Sequence, residues 1–258
     1  INAGTTKPHG GAPAVDGVND KSVMVKELLQ VDDSILALAV SKDGKKIACG
    51  GTDRVVRVFD VATGNLQHAV ENHADWILGI AFSPDGTKVV TGSRDKTAKL
   101  WDLANKESLL TFPDHQNIVN NVAMTPDGAF GISAGEDGNV RVWQATDKAK
   151  AIGKATKSMP GHTKAVFRLA NDAKGALLAS CSADMTVRLW APGTGTLLKT
   201  LTGHTDWVYA VAISPDGSLV AGGAANGEVR IWKTDGTAVV NFNATPGYVG
   251  AKVEAPKK

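Results

Sequence analysis

The stretch that decides the fold is Ser83-Pro84-Asp85-Gly86-Thr87-Lys88-Val89-Val90-Thr91-Gly92-Ser93-Arg94-Asp95-Lys96-Thr97-Ala98-Lys99-Leu100-Trp101-Asp102. Proline presets φ for a turn and Asp-Gly supplies a tight reversal, so its first four residues predict a hairpin turn. Ahead of the turn, Ile77-Leu78-Gly79-Ile80-Ala81-Phe82 runs apolar; behind it, Lys88-Val89-Val90-Thr91-Gly92 is β-branched. That is strand, turn, strand, and a third strand, Ala98 to Asp102, carries the tryptophan.

Working outward, the same string returns as Arg57-Val58-Phe59-Asp60, Arg141-Val142-Trp143, Arg188-Leu189-Trp190 and Arg230-Ile231-Trp232. Successive aromatics, from Phe59 to Trp232, lie 42, 42, 47 and 42 residues apart. His73, His115, His162 and His204 each stand 28 residues before the aromatic of their own repeat, and Asp43, Asp85, Asp127 and Asp216 stand 16 before it. Repeat four has the degenerate turn Asn171-Asp172-Ala173-Lys174-Gly175, and five residues are inserted between Trp143 and His162. A weaker fourth strand, such as Leu197 to Leu201, follows each third strand. Four short strands per ~42 residues is the anatomy of a propeller blade.

Composition agrees. Of 258 residues 43% are apolar and 21% charged, which excludes disorder for the bulk of the chain. Apolar runs such as Ile35 to Val40 are far short of the ~20 residues of a membrane helix, so no membrane span is expected. Twenty Asp against six Glu, with 28 Gly, favour turns over helices and an all-β fold. A net charge of +2 argues against a nucleic-acid partner. Cys49 and Cys181 build no disulfide framework, and no metal, cofactor, P-loop or dinucleotide motif is present. The chain starts at Ile1 without a signal-peptide pattern, so it reads as a processed mature chain or a piece of a longer one, cytoplasmic or exported.

The chain resembles the WD40-repeat family of β-propellers. The letters that carry the resemblance are Gly161-His162, Gly203-His204 and the WD dipeptide Trp101-Asp102, over about Val23 to Phe242, with Pro-Asp-Gly turns similar to those of bacterial members. Departures are Asn72 and Asp114 in place of Gly, Val31 in place of His and Phe59 in place of Trp. The resemblance implies a His, Ser/Thr, Asp, Trp network in each blade. It falls on His73, Thr91, Asp95, Trp101; His115, Ser133, Asp137, Trp143; and His162, Ser180, Asp184, Trp190. Repeat five keeps His204 and Trp232 but has Gly222 and Asn226, and repeat one keeps only Asp53, with Cys49 at the hydroxyl position. A His, Ser, Asp set also suggests a hydrolase triad, but a triad occurs once per active site and this set recurs at fixed spacing without a Gly-x-Ser-x-Gly elbow. No catalytic residue is assigned.

The expected organisation is an N-terminal linker over residues 1–21, repeats over 22–242, and a tail at 243–258. Five regular blades are clear, and an irregular sixth is built from both termini, with Ser22 to Gln30 and Gly247 to Val253 as its strands. Five and seven blades are equally admissible for such folds.

In the family, partners contact the loop face three and five residues after each His and one before each network Asp. On this chain that gives Trp76, Arg94, Asn120, Glu136, Phe167, Trp207 and Tyr209 as partner-binding candidates, since aromatics beside arginine suit a protein hot spot. Lys148, Lys150, Lys154, Lys157 and Lys164 read either as a basic patch or as a solvated edge that blocks strand pairing. The expected function is a non-enzymatic scaffold for a protein or peptide, as a complex subunit. The alternatives are a propeller module of a larger extracytoplasmic or redox polypeptide or complex, whose chemistry lies on another domain or subunit, and an enzyme or small-molecule site in the central channel.

Overall fold

Turn chemistry and β-branched runs give this chain twenty-one strands, and no helix, among the residues that its computed structural model describes, 33–71, 73–145 and 151–244. The first sheet holds β1 (Ile35–Val40), β2 (Lys46–Gly51), β3 (Val55–Asp60) and β4 (Leu66–Glu71), in that order. The second holds β5 (Ile77–Phe82), β6 (Lys88–Ser93), β7 (Ala98–Asp102) and β8 (Glu107–Phe112). β9 (Val119–Met124), β10 (Phe130–Gly135), β11 (Val140–Gln144) and β13 (Ala155–Met159) form the third, with β12 (Ala151–Ile152) standing between the last two in sequence. The fourth holds β14 (Val166–Asn171), β15 (Leu178–Ser182), β16 (Val187–Ala191) and β17 (Thr196–Leu201). The fifth holds β18 (Val208–Ile213), β19 (Leu219–Ala224), β20 (Glu228–Lys233) and β21 (Ala238–Asn243). Each is an antiparallel meander, as in a propeller blade, and the first strands β1, β5, β9, β14 and β18 stand side by side.

One device closes every first hairpin. Gly44, Gly86, Gly128, Gly175 and Gly217 take φ between +67° and +75°, and each donates its N–H to the carbonyl three residues back. The side chain of that same residue, Ser41, Ser83, Thr125, Asp172 or Ser214, accepts the N–H that opens the next strand at 2.9–3.0 Å. Repeat four is therefore not degenerate in geometry: the Asp172 carboxylate does the work of the hydroxyl.

Each sheet lays a face of small and branched residues on the tryptophan face of the next. Ala48, Val56 and Val58 meet Ile77, Val89 and Trp101; Leu100 and Phe112 meet Val119 and Trp143. Ile132 and Val142 meet Val166 and Trp190; Val187 and Leu189 meet Val208 and Trp232. The outer faces of the first and fifth sheets stay open among the described residues, with Leu38 66% and Phe242 45% exposed. Residues 1–32 and 245–258, from which the sixth blade was read, lie outside the described residues, as do Lys148 and Lys150.

The insertion after Trp143 differs from expectation. Instead of blocking strand pairing, it supplies β12, which runs parallel to β8 and extends the second sheet at its outer edge, with Gly153 N–H donating to Thr111 O at 2.8 Å. Lys154 and Lys164 remain exposed and Lys157 is half-buried on β13.

The second interface between sheets has its own fit. Gly131 stands where the neighbouring sheets have Val89 and Leu178, and a Cβ there would come within 2.2 Å of the Trp143 ring. That ring is stacked on Phe112 (5.6 Å between centroids, 19° between planes), so a large Phe on one side is matched by a missing side chain on the other. Gly131→Ala is expected to destabilise by about 1–3 kcal/mol through overpacking. With Phe112→Leu added, the double variant should be more stable than the sum of the singles by about 1 kcal/mol. Urea denaturation measures this, and simple additivity refutes the pairing.

Candidate functional site

The network expected from the repeat is formed in three sheets. His73 Nδ1 donates to Asp95 Oδ2 at 2.7 Å, its Nε2 lies 2.7 Å from Thr91 Oγ1, and Trp101 Nε1–H donates to the same oxygen at 2.8 Å. His162, Asp184, Ser180 and Trp190 repeat this at 2.8, 2.7 and 2.8 Å. In the third sheet His115 stands 3.2 Å from Asp137 Oδ2 and 2.7 Å from Ser133 Oγ, while Trp143 Nε1 is 3.3 Å from that oxygen. At His73 and His162 the carboxylate only accepts, so Nδ1 carries the imidazole proton, and the hydroxyl, already accepting from the indole, turns its hydrogen to Nε2. At His115 the Arg141 guanidinium, which only donates, stands 2.7 Å from Nδ1 and 2.6 Å from Asp137 Oδ2, between the imidazole and its carboxylate. Thr91, Ser133 and Ser180 are fully buried, which takes these oxygens away from any substrate and answers the triad reading.

Burial pushes the imidazoles of His115, His162 and His204 below their ordinary value, against the pull of their carboxylates. Burial acts in the opposite sense on Asp95, Asp137 and Asp184. Hydrogen bonds from the paired imidazole and from nearby hydroxyl or backbone N–H groups outweigh it and hold all three well below the usual carboxylate range.

The two outlying sheets solve the same problem differently. In the first, with no histidine at this position, Asp53 pairs with Arg57, and Phe59 brings no N–H to satisfy. In the fifth, Glu228 replaces the missing aspartate: its Oε2 stands 3.2 Å from His204 Nδ1, and its Oε1 accepts Arg230 Nε–H at 2.8 Å. Sequence reading missed Glu228 because it lies two residues beyond the network Asp position, where Thr97 and Thr186 stand in other repeats. His204 Nε2 is buried without a hydrogen-bond partner, since Gly222 stands where the hydroxyl belongs.

A second regularity builds the face. Every first strand has a register break near its start: Ile35/Ala37, Ile77/Gly79, Val119/Asn121, Val166/Arg168 and Val208/Ala210. The residues left unpaired are Leu36, Leu78, Asn120, Phe167 and Tyr209, all five of the positions five residues after the histidine phase. A bulge re-aims its side chain, so one residue per sheet turns toward the face where the first strands begin.

On that face the seven partner-binding candidates separate. Trp207 and Tyr209, each 44% exposed, gather with Phe167: Phe167 stacks on Tyr209 at 4.5 Å, and Trp207 lies 6.3 Å from Phe167 and 6.2 Å from Tyr209. Trp76 and Arg94 form a separate pair, the guanidinium carbon 4.7 Å from the ring centroid. Glu136 is exposed, with its backbone N–H on Ile118 O at 2.9 Å. Asn120 is spent inside the fold: its amide donates to Val166 O at 2.9 Å and braces the third sheet against the fourth.

At the opposite end, a cleft of about 400 Å³ opens beside the Pro-Asp-Gly turns, lined by Ala39, Ile80, Phe82, Met124 and Asn171, with Lys42 its one charged group. No group of three metal-ligating side chains occurs among the described residues. No helix there is long and apolar enough to cross a membrane.

Thr91→Val keeps the shape and orphans two buried groups, Trp101 Nε1 and His73 Nε2, and is expected to cost about 2–4 kcal/mol. Gly222→Ser offers His204 Nε2 a hydroxyl, but a Cβ there stands 3.0 Å from that nitrogen and from Val187 Cγ2 and 3.3 Å from the Trp232 ring. Overpacking is expected to offset the new hydrogen bond and leave stability within about 1 kcal/mol of wild type. Chemical denaturation reads both; a larger gain in the second variant overturns the crowding, and a larger loss overturns the hydrogen bond. For His115, His162 and His204, and for the three aspartates, the folded pKa lies below the unfolded one, so the folded chain binds fewer protons. Stability is then complete above the ordinary histidine value of 6.5, falls as pH drops below it, and falls again below the ordinary carboxylate value of 3.8. The thermal midpoint should decline from about pH 7.5 to about pH 5; a flat profile over that range refutes the neutral-imidazole network.

A profile of the WD40 family (WD domain, G-beta repeat) matches residues 25–60, 64–102, 106–144, 153–191 and 195–233. From the second onward, each interval starts on or just before the fourth strand of one sheet and ends at the third strand of the next, so sequence repeats and sheets are offset by one strand. The chain is similar to Protein Notchless of Drosophila melanogaster, 48% identical over 52 residues, which are 20% of this chain and 11% of that protein. It is also similar to the probable serine/threonine-protein kinase PkwA of Thermomonospora curvata, 32% identical over 70 residues, 27% of this chain and 9% of the kinase. The matches span about a tenth of those relatives' lengths. With five matched repeats laid out as five sheets, four of four strands and one extended to five by β12, the chain belongs to the WD40-repeat family.

Proposed function

We propose that this chain is a non-enzymatic interaction platform that presents the bulged-residue face to a protein or peptide. The observation that carries the reading is the cluster of exposed Trp207 and Tyr209 with half-buried Phe167, in which two neighbouring sheets aim large rings into one patch. Such rings bury much area at little entropic cost and are enriched in binding hot spots. Trp76 with Arg94 supplies a second, separate contact. The family's general role as an interaction fold supports this, and the short shared stretch carries no kinase chemistry over. A second reading is favoured by the small fraction of each relative that is matched: repeats of this kind are built into much longer polypeptides, so the platform can serve a larger assembly.

Affinity capture from source lysate, with wild type beside a Trp76→Ala, Arg94→Ala, Trp207→Ala variant, tests the face. Specific partners should be lost from the variant, at about 30-fold or more in affinity, while circular dichroism stays unchanged. Retention of every partner overturns the assignment.

A further inference from the structure

The internal repeat supplies a template for what the aromatic patch takes. In repeat two, Asp75 Oδ1 accepts the Trp76 N–H at 2.8 Å, and Trp76 O accepts the Arg94 N–H at 2.9 Å. On this frame Arg94 lays its guanidinium over the Trp76 ring at 4.7 Å and reaches Asp75 Oδ2 with Nε at 3.7 Å. The ring, the carboxylate and the cation form one unit.

Repeat five builds the same frame to within the same distances. Asp206 Oδ1 accepts the Trp207 N–H at 2.8 Å, and Trp207 O accepts the N–H of residue 225 at 2.9 Å. Residue 225 is an exposed alanine. The ring and the carboxylate are therefore kept while the cation is missing, and among the described residues no cation stacks on Trp207 or pairs with Asp206. The remaining repeats have Ser34, Ile118 and Ala165 at the tryptophan position, so the Asp-Trp unit occurs twice, once filled and once empty.

We infer that Trp207 and Asp206 form a guanidinium subsite, filled by an arginine side chain of a protein or peptide partner in the place that Arg94 occupies in repeat two. The inference rests on the platform reading above and names the partner's chemistry. Arginine fits better than lysine because a planar guanidinium can lie flat on the indole and still direct an N–H to the carboxylate beside it. Phe167 and Tyr209, on the neighbouring side of Trp207, limit water around the ring, and a less hydrated ring face holds a cation more strongly.

The test titrates the full chain, labelled with ¹⁵N at its tryptophan indoles, with Nα-acetyl-arginine N-methylamide and with the neutral isostere Nα-acetyl-citrulline N-methylamide. A Trp207→Phe variant identifies the Trp207 resonance. The expected result is a saturable shift of the Trp207 indole N–H with the arginine compound, with binding of citrulline weaker by about tenfold or more. Ala225→Arg should abolish that response, because the chain's own arginine then fills the site as in repeat two. No saturable shift, an equal response to citrulline, or an undiminished response in Ala225→Arg overturns the inference. If the arginine compound binds at Trp207 but the triple variant keeps every protein partner, only the platform reading falls. If partners are lost while Trp207 ignores arginine, only the guanidinium subsite falls.

Discussion

A buried hydroxyl oxygen in the second strand of a sheet is the constraint from which the rest follows. Thr91 Oγ1 sits on β6, takes the indole N–H of Trp101 on β7, and faces the imidazole of His73 in the loop ahead of β5. The same imidazole reaches Asp95 in the β6–β7 turn, so one oxygen links two strands, a loop and a turn. Neither the indole nor the imidazole can be left unpaired in the interior without a loss comparable to a good part of a domain's net stability. A one-residue slip in register breaks every link at once. The variations obey the same logic. Where Phe59 brings no N–H, Cys49 suffices at the hydroxyl position; where Gly222 removes the hydroxyl, His204 Nε2 is left unpartnered.

With the sheets held in register, the bulge near the start of each first strand has a fixed consequence. An extra residue against the second strand turns one side chain per sheet toward the loop face, and the neighbouring first strands bring those side chains close together. Phe167 and Tyr209 meet in this way, although 42 residues separate them in the chain. Asn120 holds the equivalent place and turns its amide to the next sheet's backbone, so the same geometry serves cohesion in one blade and display in another.

The repeats are nearly alike wherever they touch the core and unlike wherever they touch solvent. At all four interfaces the core sets small and branched residues of one sheet against the tryptophan of the next, because each must accept its neighbour. The face positions run from Ser34 and Ile118 to Trp76 and Trp207, since packing does not constrain them there. Those differences gather aromatic surface in the fourth and fifth repeats.

The sequence by itself determined the period and the strands, and its resemblance to a known family implied the network. The Asp-Gly turns, the β-branched runs and the histidine phase are local signals, and repetition makes each copy a check on the others; Ile77 to Phe82 and Ala98 to Asp102 are strands as read. Local signals could not reveal Glu228 taking over from Asn226, Asp172 standing in for a serine, or β12 joining the edge of the second sheet, because each depends on which atoms come within reach across the fold. The register breaks are equally silent in sequence, since a bulge is a relation between two strands. Only the tertiary structure decided that Asn120 is spent on the fold, that Arg94 covers Trp76, and that Trp207 keeps the same frame with no cation of the described residues on its ring. Which polar or aromatic groups are free is fixed by their neighbours in space, and those neighbours come from other blades and loops of the chain.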